Sequence, residues 1–232
     1  PVSSSALQGY KPGSSLWDWA EDAPTLAAGD WTGAAFNGSG ADAGNDLTPT
    51  AILGGKAIRC LPPAVNDVWW VNQGIGSGNF VVGFRIAMLM NTVAQQYNVM
   101  PTWDVQAGFV DGTAPHTDTT YVVGRRVPVS GDWSSQSVAS GSTTSIFSDP
   151  SATVAMTSER TTVFDVFVRR TGSDLSLWYT SPGGLAMFAN DFASVSTSAG
   201  QVGVRLYAGA KANMGFAILA FDPTLTAVPG TE

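Results

Sequence analysis

Along much of this chain, hydrophobic and polar positions alternate with a period of two, the pattern of β-strands with one face buried. The clearest ladder is Val163-Phe164-Asp165-Val166-Phe167-Val168-Arg169-Arg170. Phe164, Val166 and Val168 fall on one face; Asp165 and Arg169 fall on the other, with Val163 and Phe167 between them. Thr171-Gly172-Ser173-Asp174 is a turn by composition, since Gly accepts positive φ and Asp and Ser bond their own backbone. Residues 175–180 then return, with Leu175, Leu177 and Tyr179 on one face. Residues 202–207 and 214–221 predict two more strands, and residues 31–36, 56–61, 66–71, 102–110 and 119–129 predict others, with a short apolar stretch at 152–156. Residues 79–90 form the longest apolar run, which predicts a central strand covered on both faces. Residues 37–49, 73–78, 111–118 and 131–144 read as loops, 91–97 as a loop or one helical turn, and 185–190 as a short helix.

About a dozen short strands with turns between them and almost no helix predict an all-β fold, a two-sheet antiparallel jelly-roll sandwich. A chain of 232 residues suits one such domain, and no internal repeat or heptad argues otherwise. The expected division is an extended N-terminal arm at 1–15, a single sandwich domain at 16–226 and a C-terminal tail at 227–232. The arm bears Ser, Gly and Pro, the tail Pro and Gly, and neither carries a core pattern; held in place, they would point to the domain itself or a neighbouring subunit as their support.

The hairpin over 163–179 is followed by Met214-Gly215-Phe216-Ala217-Ile218-Leu219-Ala220-Phe221-Asp222-Pro223-Thr224-Leu225, a Gly-bearing strand leading into a short Leu-containing tail. Earlier, Asn79-Phe80-Val81-Val82-Gly83-Phe84-Arg85-Ile86 has the character of a long central strand. This arrangement resembles the concanavalin A-like (laminin G-like) jelly-roll superfamily. The likeness covers about two thirds of the chain and bears on fold more than on activity, because sites are grafted onto folds.

Charge narrows the partners. Only 12% of residues are charged, the formal net charge is −7, and the basic residues cluster no further than Arg125-Arg126 and Arg169-Arg170. Nucleic-acid binding through phosphates is thereby disfavoured. No apolar run reaches the length of about 18 residues that a membrane-spanning helix needs. The start, Pro1-Val2-Ser3-Ser4-Ser5, lacks the basic-then-apolar layout of a signal peptide. The single cysteine, Cys60, cannot form an intrachain disulfide, which suits folding in a reducing cytoplasm, and it reads as a small buried apolar residue.

No catalytic set stands out. Glycoside hydrolysis needs two carboxylates flanking the scissile bond. The three glutamates, Glu21, Glu159 and Glu232, stand in loop or terminal contexts, leaving Asp104 and Asp165 as the strand-borne candidates, with Asp165 facing either solvent or a groove. His116, the sole histidine, lies in a polar turn, and no Gly-x-Ser-x-Gly elbow surrounds any serine. One His and one Cys are too few for a zinc site. Asp42 and Asp46, in Asp42-Ala43-Gly44-Asn45-Asp46, offer oxygen ligands that suit calcium, the one cofactor considered; the resemblance implies the same, since laminin G-like domains often bind calcium through loop carboxylates. The plain alternative is an Asx-rich turn. Gly74–Gly78 has no βαβ context for a phosphate loop, and Asn37-Gly38-Ser39 matches a glycosylation acceptor without a secretory signal. Among eight tryptophans, Trp70, whose neighbour Trp69 must face the other way in a strand, and Trp133, in a Ser-rich stretch, are the candidates for stacking on a sugar.

Three functions fit. The leading one is a non-enzymatic structural component of a large assembly, namely a bacteriophage virion surface protein (capsid decoration or tail-associated). It would be made in a host cytoplasm, and its partners would be copies of itself and other assembly proteins. The second is a carbohydrate-binding module that adheres to surface glycans, acting extracellularly. The third is a polysaccharide-degrading glycosidase or lyase.

Overall fold

The computed structural model describes residues 19–20, 22–24, 31–36, 47–50, 57–60, 67–90, 103–113, 118–127, 133–139, 142–149, 161–180, 187–208 and 214–231. None of these is helical. The strands are β1 (Trp31–Phe36), β2 (Leu47–Thr50), β3 (Ala57–Cys60), β4 (Asp67–Ile75), β5 (Phe80–Met90), β6 (Trp103–Asp111) and β7 (Thr119–Val127). They continue with β8 (Trp133–Ala139), β9 (Ser142–Asp149), β10 (Thr161–Thr171), β11 (Asp174–Thr180), β12 (Met187–Phe192), β13 (Gly200–Ala208) and β14 (Met214–Leu225).

Two seven-stranded antiparallel sheets result, in the order β1-β4-β13-β6-β7-β8-β9 and β12-β11-β10-β5-β14-β3-β2. The two-sheet sandwich read from the alternation is the observed architecture. As its long apolar run predicts, β5 lies at the centre of its sheet, and every residue from Val81 to Ala87 is buried. The ladders then sort the faces. Val82, Phe84 and Ile86 of β5 join Phe164, Val166 and Val168 of β10 and Leu175, Leu177 and Tyr179 of β11 in the core between the sheets. Opposite them stand Val105, Ala107 and Phe109 of β6, Val123 of β7 and Val202 and Val204 of β13.

Four expectations are corrected. Residues 131–144 hold not a loop but most of the β8–β9 hairpin: Ser and Thr side chains left the period unreadable, while ladder bonds to β7 supply the order. Of the helix expected over 185–190, residues 187–190 belong to strand β12, because so short a helix is marginal while pairing with β11 satisfies the backbone. The loops assigned to 37–49 and 73–78 are partly strand, at β2 and at the end of β4. Finally, β14 runs past Phe221 to Leu225, passing Pro223 where its register with β5 shifts between Asp222 and Leu225. The N-terminal arm 1–15 and the stretches 91–97 and 152–156 lie outside the described residues.

The second sheet is covered on its outer face too. Trp19 and Ala23, Val228, and Val81, Phe167 and Ala220 form a second buried cluster, with Leu225 and Trp178 packed against it. The C-terminal tail is therefore held by its own domain through Val228. Trp19 meets Phe167 edge-on, with ring centroids 5.3 Å apart. Gly83 makes the space: a Cβ there would lie 2.9–3.1 Å from Leu225, Trp19 and Phe167. Gly83→Val is expected to cost about 1–3 kcal/mol through overpacking. The check is a lower urea midpoint at unchanged slope; an unchanged midpoint would mean that Trp19 and Leu225 do not close over this position.

Candidate functional site

Asp165, the strand-borne carboxylate offered for catalysis, faces neither solvent nor a groove. Strand alternation turns it away from the core, and the register sets it directly opposite Arg85. Arg85 donates to both of its oxygens, Nε to Oδ1 at 2.8 Å and Nη2 to Oδ2 at 2.9 Å. The Trp19 indole donates to Oδ2 at 2.8 Å, and the Asp165 amide donates to Thr180 Oγ1 at 2.9 Å. The residue is fully buried. Burial pushes its carboxyl above the ordinary range, against the pull of Arg85 and Trp19. Both oxygens are committed and no substrate reaches them, so Asp165 ties the Trp19 segment to the sheet. Asp165→Asn removes one charge of this buried pair and is expected to lower stability by about 3–5 kcal/mol, measured by denaturant unfolding. A loss below about 1 kcal/mol, the scale of an exposed pair, would rule out a buried pair.

The remaining sequence candidates that are described stand on separate strands. Trp70 pairs in register with Gly33 and Val204, and Trp133 opens β8 opposite Arg125 and Asp149. Four strand-to-strand steps separate β4 from β8, about 19 Å at the usual interstrand spacing. The two positions are thus not one stacking platform. Asp104 stands opposite Arg126 and Tyr207 near the start of β6, and Cys60 opposite Leu47 and Phe216 in β3. Asp42, Asp46 and His116 lie outside the described residues. Among the described residues no group of three or more His, Cys, Asp or Glu side chains could hold a metal.

Among the described residues, the centre of each sheet is buried on its outer face as well. On the first sheet Gln106, Thr120, Val122 and Arg205 alternate with the core residues and are buried as well. Among the described residues, exposed polar groups gather at one end of the sandwich. Antiparallel pairing brings there the ends of β6, β7, β8 and β9 and the connections β4–β5 (76–79), β10–β11 (172–173) and β12–β13 (193–199).

Arg170 braces this end from inside. It continues the core-facing series Phe164, Val166, Val168, and is 1% exposed. Its Nη2 donates to Gly76 O at 2.7 Å, Nε to Gly78 O at 2.8 Å and Nη1 to Ser198 O at 2.9 Å, with Ser196 O at 3.5 Å from Nη1. The guanidinium lies over Phe80 and Phe109, 4.8 and 5.3 Å from their centroids. Burial draws its pKa below the usual value and the Asp111 carboxylate opposes that; an arginine stays cationic regardless. Further bonds join the connections to each other. Gly172 N–H donates to Asn79 Oδ1 at 2.9 Å, Val195 N–H to Ser173 O at 2.9 Å and Ser196 N–H to Asp111 Oδ2 at 3.3 Å. Within β6–β7, Thr113 N–H donates to Asp118 Oδ2 at 2.9 Å, and Gly112 (φ +141°) leaves the space in which a Cβ would overlap that carboxylate. Ser194 is held at φ 63°, a left-handed conformation that costs energy and persists where its surroundings enforce it.

Sequence reading passed over Arg170, Asn79 and Asp111. The signal for Arg170 was present: an arginine two residues beyond Val168 sits where the alternation demands a core side chain. Arg170→Met should remove the brace and leave the sheets standing. Amide exchange is expected to quicken together in 76–79 and 193–199, with the central strands still protected. Acceleration in only one of the two connections would show that Arg170 does not link them.

No family model matches the chain, and no curated protein matches it by sequence. Solved structures do. The carbohydrate recognition domain of Emp47p is similar over 89% of this chain and 93% of its own, with 12% identity and a TM-score of 0.52. The exoplasmic/lumenal domain of VIP36, in a form bound to Ca2+ and Man, covers 85% and 86% at 11% identity, with a TM-score of 0.50. A functionally unknown protein from Saccharomyces cerevisiae covers 86% and 100% at 9% identity, with a TM-score of 0.53. At such identities the likeness speaks for architecture: this chain has the concanavalin A-like jelly-roll fold.

Proposed function

We propose that the chain is a non-catalytic carbohydrate-binding module whose ligand docks on the loop end. The observation that carries this reading is a set of largely exposed, polar connections, 76–79, 172–173 and 193–199, fixed to one another and, at 76–79 and 193–199, to Arg170. Loops positioned by a rigid scaffold are where binding residues concentrate. Preset hydroxyl, amide and backbone groups suit a polyol, because little ordering remains to be done on binding. Two of the similar structures are a carbohydrate recognition domain and a domain with Man bound, which favours sugars over other polar ligands.

The burial of Asp165 in an ion pair withdraws one of the two carboxylates that the sequence offered for the hydrolase reading. The assembly reading drew on arms at both ends; residues 1–15 lie outside the described residues, and the tail packs on its own domain, so neither argues for a partner subunit. Attachment of a virion to surface glycans remains a setting in which such a module would serve.

A glycan screen on the purified chain tests the proposal. Saturable binding to some glycans is expected, weakened about tenfold or more in Asn79→Ala, which cuts the Gly172 link, an effect of about 1.4 kcal/mol. Trp70→Ala and Trp133→Ala examine the first sheet as the alternative location, and a calcium chelator separates metal-dependent from metal-free binding. A flat screen would remove the proposal; binding that survives Asn79→Ala but fails in Trp133→Ala would move the site.

A further inference from the structure

Trp178 is half-buried on the outer face of the second sheet, five residues along β11 from the β10–β11 turn, about 17 Å at the usual rise. A tryptophan at a water boundary ordinarily keeps its apolar body inside and its N–H toward solvent. Here the N–H is inside: Nε1 is buried and finds no acceptor among the described residues, and the ring packs against the cluster of Trp19, Phe167 and Val81. What water reaches of this side chain is therefore carbon. Folding alone gives no reason to bury the polar tip unpaired and display the apolar part.

The register supplies its surroundings. Trp178 stands opposite Ala189 of the edge strand β12, an exposed small side chain that leaves the ring open from that side. Two residues nearer the turn, Ser176 stands between Arg169 of β10 and Asp191 of β12. Strand alternation puts all five residues on the outer face. Ser176 is buried and short, Arg169 is half-buried and Asp191 is exposed. The Arg169 and Asp191 backbones are two interstrand spacings apart, about 10 Å. The Arg169 guanidinium lies 5.6 Å from the indole centroid. An indole, a guanidinium and a carboxylate thus border a low floor made by Ser176 and Ala189. A neutral pyranose matches that set: its C–H face meets the negative face of the ring, and its hydroxyls meet one charged donor and one charged acceptor. We infer that Trp178, Arg169 and Asp191 form a sugar-stacking site for a neutral pyranose on the outer face of the second sheet. It goes beyond the loop-end reading and uses none of the loop-end residues, so the two fail separately.

The test uses the full chain carrying 5-fluorotryptophan, with the fluorine signal of Trp178 identified by its loss in Trp178→Phe. The methyl glycosides of mannose, galactose and glucose are titrated through the millimolar range. The Trp178 signal is expected to move saturably with at least one of them. Ala189→Leu, which fills the opening without touching the packed side of the ring, and Asp191→Asn should each weaken that binding about tenfold, with circular dichroism unchanged. Asn79→Ala should leave it unaltered. A Trp178 signal that stays still with all three glycosides would overturn this site, whatever the glycan screen reports for the loop end. Binding indifferent to Ala189→Leu and Asp191→Asn but lost in Asn79→Ala would also overturn it, and would assign the sugar to the loop end. Self-association that Ala189→Leu abolishes, with no glycoside moving Trp178, would overturn it too, because the ring would then serve a second copy of the chain.

Discussion

A guanidinium inside an apolar sandwich must have its donors satisfied, and one end of this fold is arranged around that requirement. Arg170 occupies a position that strand alternation directs into the core. Its donors find the carbonyls of residues 76, 78 and 198, in connections that have no ladder partner of their own. Each side supplies what the other lacks: irregular backbone offers acceptors that would otherwise need water, and the arginine offers donors in a fixed planar fork. Phe80 and Phe109 close over the charge with their ring faces. Polar loops rich in Gly and Ser, which by composition should wander, become parts of the frame.

The second buried charge does the same work on the opposite side of the sheet. Asp165 and Arg85 face each other across the β10–β5 ladder, and the Trp19 indole completes the carboxylate's bonds. That bond anchors a terminal segment with little pattern of its own, and Gly83 and Phe167 then shape the bed for its ring. The central strands are consequently buried on both faces, with apolar residues inward and a mixed row outward. An isolated charge in such a place would be costly; a paired one with every oxygen engaged fixes the register of β10 against β5.

The alternation made β5, β10, β11, β13 and β14 legible because large apolar side chains mark every second position. It failed on β8 and β9, where Ser134, Ser135, Ser137, Thr143 and Thr144 hide the period although the backbone is extended. It failed on β12 because Leu185, Ala186 and Met187 favour helix locally, whereas the open edge of β11 decides the outcome. The site was legible in part. Arg170 could be placed from its own strand alone. The partner of Asp165 could not, since Arg85 is eighty residues away and becomes its neighbour only through register. Asn79 and Asp111 gain meaning only once antiparallel topology collects their connections at one end.

These two buried charges also explain where a ligand can and cannot act. Charged residues within the strands invite catalytic readings, yet here they are consumed by holding segments in place. What the frame leaves outward-facing is a rim of short side chains on braced backbone. In that rim the carboxylates Asp111 and Asp118 already accept backbone amides, and Arg170 points inward. Recognition by preset hydroxyl and amide groups demands little reorganisation, and it distinguishes ligands chiefly through charge and shape. The arginine braces the loop end by turning inward, so its donors are spent on the carbonyls of the loops themselves.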